Sequence, residues 1–317
     1  IAAGRALCDA PLPDWVFSGP VPQQGIHTPA GSWSAGRQIH LPRSTLAVYR
    51  RQHFPEDVAG AGATDALHSG TELFRNEAVR VWTLDGDIAI ASITTKMHLL
   101  SPTVVAGLGR AVDLAEAGYR GLVIWSPDAM FSAGANLQDL QPAITAAESG
   151  AAGADSWKLQ ETLLRIRYAQ VPVVAAVRGL ALGGGCELAV HCARRVATLE
   201  GHIGLVEVGV GLIPAGGGLT YIARRAAEAA QAAGAVGDLF KFLQAGFGHA
   251  TQAKVSDSAL EAQQMGYLLD SDVIVPHRDE LLHVACLQAR TMFDSGWRPP
   301  LRLPFPVAGR DAIATLQ

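Results

Sequence analysis

Residues 171–218 constrain the fold more than any other stretch: VPVVAAVRGLALGGGCELAVHCARRVATLEGHIGLVEVGVGLIPAGGG. The apolar, β-branched run from Val171 to Val177 predicts a strand buried on both faces. Gly183, Gly184 and Gly185 follow, and Cys186 to Cys192 then reads as helix. A strand, a glycine turn and a helix N-terminus bring bare backbone N–H groups up to a ligand oxygen. Glycine removes the Cβ that would block the approach, and the helix end adds partial positive charge.

Two acids fall in this stretch. Glu187 comes three residues after Gly184, so both can face one cavity. Glu207 sits among Leu205, Val206, Val208 and Val210, where a carboxylate is costly to bury unless it is paired or protonated. Each has a plainer reading: Glu187 as a first-turn acid favoured by the helix dipole, Glu207 as an edge-strand acid facing water. Together with a donor-rich turn, the pair has the parts of a proton-transfer site.

ALGGGCELA, followed by VEVGVGLIPAGGG, resembles the signature of the crotonase family, the enoyl-CoA hydratases and isomerases. GLVIWSPDAMFSAGANLQDL, residues 121–140, is similar to the family's other oxyanion-hole segment. The resemblance implies an α/β fold: a crotonase-like spiral of ββα units with partly parallel sheets, surrounding helices and a C-terminal helical region. It implies backbone donors at Ala135 and Gly184 and catalytic carboxylates at Glu187 and Glu207. Retention of both acids favours hydration of a trans-2-enoyl-CoA over Δ3-Δ2 isomerisation; a non-catalytic acyl-CoA-binding scaffold is a third reading. The partner implied is an acyl-CoA thioester, with coenzyme A as part of the substrate and no other cofactor. The adenosine end would rest near Lys96, Met97 and His98, where Lys96 and His98 either meet a phosphate or form an ordinary exposed pair.

Composition narrows the rest. At 317 residues the chain can bury one large core. A hydrophobic fraction of 49% with net charge −4 argues against a nucleic-acid or polybasic membrane protein. No apolar run approaches a membrane span and no signal peptide is legible, so a cytoplasmic location is expected. Cys8, Cys186, Cys192 and Cys286 have no zinc-ligand spacing and read as free thiols, with no metal site. His191 reads as a packed histidine and Cys186 as a packed thiol, neither with a readable catalytic partner.

The organisation expected is a Pro/Gly-rich leader over 1–75, a crotonase-like domain over 76–295 and a proline-containing tail over 296–317. The leader shows no clear period beyond a short helix within 43–53, and residues 59–70 read as a connector. Within the domain, alternation predicts a hairpin around Asp85-Gly86, a helix from Pro102 to Gly118 and a strand from Gly121 to Ser126. Residues 141–155 read as a weakly patterned helix or loop, and 157–168 as helix. Further helices are expected over 219–231, 237–247, 257–265 (N-capped by Ser256 or Asp257) and 279–293, with a short strand over 272–275. Several segments resemble bacterial proteins that place an NAD-dependent 3-hydroxyacyl-CoA dehydrogenase ahead of a crotonase module. On that reading the leader connects to a dehydrogenase domain outside this sequence, no NAD site lies within it, and homo-oligomerisation is possible.

Overall fold

The computed structural model describes residues 12–28, 31–42, 44–53, 70–139 and 154–316. The predicted connector and the weak segment after Asp139 fall largely outside these residues.

The strands in chain order are β1 (His27–Thr28), β2 (Gly31–Ser34), β3 (Ile39–Pro42), β4 (Thr71–Arg75), β5 (Val79–Thr83), β6 (Ala89–Ile93), β7 (Leu122–Trp125), β8 (Val173–Val177), β9 (Leu180–Leu182), β10 (Arg194–Thr198), β11 (His202–Gly204) and β12 (Val273–Val275). The principal helices are α1 (Pro102–Gly118), α2 (Ala154–Arg167), α3 (Gly184–His191), α4 (Gly218–Ala232), α5 (Leu239–Thr251), α6 (Ala259–Gln264), α7 (Leu281–Asp294) and α8 (Gly309–Leu316).

Seven strands form the central sheet in the order β12-β10-β8-β7-β6-β5-β4. Pairing is antiparallel from β4 to β6 and parallel from β6 to β12. The hairpin forms as expected, with Gly86 at φ +79°. The parallel step from β6 to β7 is made through α1, whose Ser101 hydroxyl caps the helix by accepting from the Val104 N–H. Val104, Leu108, Ala111, Val112 and Ala115 recur every three or four residues and form its buried stripe.

The period of two in β8 decides how the core is divided. Val173, Ala175 and Val177 face a cluster that includes Leu108, Val112, Leu163, Leu188 and Val190. Val174 and Ala176 face the other way, onto Leu281, Leu282, Ala285 and Ala289 of α7. Every residue of β8 is buried, which is why this strand reads as a continuous apolar run without alternation. On the α7 side the Trp82 indole donates to the Ser92 hydroxyl at 3.0 Å and meets Trp125 edge-on.

One buried ion pair ties the far edge. Arg195 on β10 binds Asp272 through Nε at 2.7 Å and its own N–H at 2.9 Å, and Leu269 N–H donates to the same carboxylate. Both side chains are at most 3% exposed. Asp272→Ala leaves a guanidinium buried without its carboxylate, so a loss of about 3–5 kcal/mol is expected in denaturant melts. A loss below 1 kcal/mol would show that the pair is unimportant.

Four local differences from the sequence reading have physical causes. The leader carries a three-stranded antiparallel sheet, β1-β2-β3, and Gln38 sits at φ +56° beside its second turn. The helix over 259–264 is capped by Ser258, not Ser256 or Asp257. Ser256 is instead buried, its hydroxyl accepting from Ile203 N–H in the middle of β11. Glu207 stands at the start of a 3-10 turn, Glu207–Val210, and not on an edge strand. The proline-containing end also packs: Phe305 lies against Ala226, Ala227, Ala230 and Leu239, and the chain then forms α8.

Candidate active site

Gly183 lies between β9 and α3 at φ +52°, ψ −123°, a conformation closed to residues with a Cβ. It lets the chain turn sharply from strand to helix and leaves the Gly184 N–H at the helix start. Gly134, at φ +101°, performs the matching turn in the Ser132–Ala135 segment. A Cβ there would sit 2.8 Å from the Leu182 carbonyl and 3.3 Å from the Gly184 nitrogen. A Cβ on Gly184 would in turn lie 3.4 Å from the Ala135 nitrogen. The two segments meet backbone to backbone.

Hydrogen-bond accounting singles out two amides in this contact. The N–H groups of Ser132, Ala133 and Asn136 donate to the carbonyls of Leu180, Met97 and Leu100. Gly134 N–H donates to the Ser132 hydroxyl, which itself donates to the His98 carbonyl at 2.7 Å. On the other segment Gly183 N–H donates to the Gly204 carbonyl. The amides of Ala135 and Gly184 find no acceptor among the described residues.

Glu207 lies beside the Gly183 turn, and Glu187 stands in the first turn of the helix that follows it. Glu187, in the first turn of α3, is 2% exposed. Its Oε1 accepts from the Gly218 N–H at 2.8 Å, at the start of α4. A Cβ on Gly216 would fall 2.3 Å from its Oε2. The carboxyl therefore lies against the Gly216–Gly218 loop. Burial, and after it the charge of Glu207, push its pKa up to about 7, against the opposing pull of the Gly218 hydrogen bond.

Glu207 lies beside Gly183, where a Cβ would stand 3.4 Å from its Oε1. Both carboxylate oxygens are buried without a hydrogen-bond partner among the described residues. Burial raises this carboxyl above its ordinary range.

The Lys96–His98 turn is arranged differently from an exposed pair. Lys96 and Met97 are exposed, but His98 is 2% exposed. Its Nδ1 lies 3.0 Å from the Met130 carbonyl and its Nε2 3.1 Å from an Asp128 carboxylate oxygen, so the ring anchors the loop before Ser132. His191 is also occupied, with Nδ1 2.7 Å from the Glu187 carbonyl and a pKa lowered to about 4 chiefly by burial. Cys186 is fully buried, and burial raises its thiol well above the ordinary value. Sequence reasoning passed over Gly218, whose N–H holds Glu187. Three successive glycines after Pro214 were the available signal, since only bare backbone approaches a carboxylate so closely.

Among the described residues no group of three His, Cys, Asp or Glu side chains could hold a metal ion, and no helix is long and apolar enough to cross a membrane.

The sheet, its two abutting glycine turns and the two buried acids define a class: α/β proteins that set backbone donors against carboxylates. Residues 89–244 match the enoyl-CoA hydratase/isomerase family model. A Bacillus subtilis protein named "Probable 3-hydroxyacyl-CoA dehydrogenase" is 34% identical over 76% of this chain. The crotonyl-CoA hydratase of Syntrophomonas wolfei is 40% identical over 32% of it. This chain spans 30% of the first relative's length and 38% of the second's. In fold, an enoyl-CoA hydratase from Polaromonas sp. JS666 matches 68% of this chain and 77% of its own, with TM-score 0.53 and 25% identity. Over residues 89–244 the chain is similar to the enoyl-CoA hydratases and isomerases, and its fold is the one that they share.

Proposed function

We propose that this chain is an enoyl-CoA hydratase, a hydro-lyase that adds water to a trans-2-enoyl-CoA to give a 3-hydroxyacyl-CoA in fatty-acid oxidation. The observation that carries this reading is the Glu207 carboxyl beside Gly183, next to the Ala135 and Gly184 amides, with no hydrogen-bond partner for the carboxyl or for either amide among the described residues.

In this reading the thioester oxygen takes the Ala135 and Gly184 N–H groups. Addition of water at the β-carbon moves charge onto that oxygen as an enolate, and two fixed donors stabilise it without reorganisation. Glu187 and Glu207 hold the attacking water. As its oxygen bonds to the β-carbon, Glu207 accepts a water proton and delivers a proton to the α-carbon. Burial, which raises this carboxyl above its ordinary range, makes it a better proton acceptor than a free glutamate. Hydration is favoured over double-bond isomerisation because the two carboxyls are near enough for the Glu207 charge to act on Glu187, where one acid would suffice to shuttle a proton.

The 3-hydroxyacyl product is the substrate of a dehydrogenase, which fits a module working beside one in a longer protein. The deciding experiment is incubation of the purified chain with crotonyl-CoA, following loss of the conjugated thioester absorbance. Hydration without NADH formation on adding NAD is expected. A folded chain that leaves crotonyl-CoA unchanged would overturn the proposal.

A further inference from the structure

A cleft of about 250 Å³ opens at the C-terminal end of α3, away from the first turn that carries Glu187. Its walls come from the ends of α2 and α3, from α4, and from the segment after α7 that begins at Trp297. Five arginines line it (Arg167, Arg195, Arg224, Arg225 and Arg298) against one acid, Glu228. Arg195 is neutralised by Asp272, and Arg225 by Glu228 at 2.5 Å. Arg167, Arg224 and Arg298 have no carboxylate within ion-pair distance among the described residues.

Guanidinium groups stay charged in proteins, so this cluster cannot relieve its repulsion by losing protons. The Nε atoms of Arg167 and Arg225 are buried without an acceptor among the described residues. Arg224 stacks on Phe305 at 4.7 Å, which fixes its plane without occupying its N–H fork. The field extends to His191 in the same wall, whose pKa is lowered by burial first and then by Arg167 and Arg224. In a chain of net charge −4, three arginines around one cleft with no carboxylate partner among the described residues call for a counter-anion.

We propose that this cleft binds a small, multiply charged oxyanion carrying phosphoryl or carboxylate groups, gripped by Arg167, Arg224 and Arg298. Arginine forks match both groups bidentately. The volume is below the roughly 300–1,000 Å³ usual for drug-sized ligands, so a compact anion fits and a nucleotide does not.

Calorimetric titration of the full chain at low ionic strength, with inorganic pyrophosphate and with citrate, tests the site. Saturable one-to-one binding of at least one probe is expected, and the tighter of the two identifies the phosphoryl or carboxylate source. The Arg167→Gln/Arg224→Gln double variant should weaken binding about tenfold or more, the scale of losing charged hydrogen bonds. Arg298 is exposed, so Arg298→Ala should weaken binding several-fold at an unchanged melting temperature, and it decides the matter if the double variant does not fold. No saturable binding of either probe, equal binding by the folded variants, or displacement by saturating acetyl-CoA would each overturn the proposal.

Discussion

Glu207→Gln will lower crotonyl-CoA turnover by about 10² to 10⁴, the usual range of a general acid–base contribution, while KM changes little. The amide keeps the shape of the side chain and its seat beside Gly183. It cannot take a proton from water or return one to carbon. Folding should not suffer, because the carboxylate oxygens make no hydrogen bond within the described residues that the substitution would break. Stability should rise slightly, since a buried ionised group without a partner is replaced by a neutral one. A variant that hydrates at near wild-type rate would remove Glu207 from the mechanism.

Glu187→Gln will behave differently, and pH separates the two acids. Its carboxyl titrates near 4.5 in the unfolded chain and about 7 when folded, so the folded state holds its proton more tightly. Below pH 4.5 both states are protonated and no difference arises. Between the two values the unfolded state is ionised and the folded state is not, so stability falls as pH rises. Above about 7 the full deficit is present, on the order of 3 kcal/mol. Glutamine does not ionise, and its carbonyl oxygen can still accept from Gly218 N–H. Glu187→Gln should therefore be more stable than the wild type at pH 8, equal to it near pH 4, and about 10²-fold slower in turnover. Equal melting temperatures at both pH values would show that Glu187 ionises as freely folded as unfolded.

The parts legible in the sequence were those where one segment carries its own signal. The β8 run, the Asp85-Gly86 hairpin and the stripe of α1 each display period or turn chemistry within a few residues. The paired acids and glycine turns were legible because the family resemblance groups them. Illegible parts depended on partners distant in sequence. His98 looks like half of an exposed basic pair until Met130 and Asp128 are folded onto it. Ser256 has the composition of a cap, yet the Ile203 amide claims its hydroxyl and leaves Ser258 to cap α6. The charge of the arginine cleft is likewise scattered over α2, α4 and the end of the chain, and only packing collects it.

The amides of Ala135 and Gly184, without an acceptor among the described residues, lie far apart in the chain, but their separation in space is not set by the length of chain between them. Leu182 N–H to the Ser132 carbonyl and Leu100 N–H to the Gly134 carbonyl fix it directly. Chain inserted or deleted between Asp139 and Ala154 therefore leaves the donor spacing untouched.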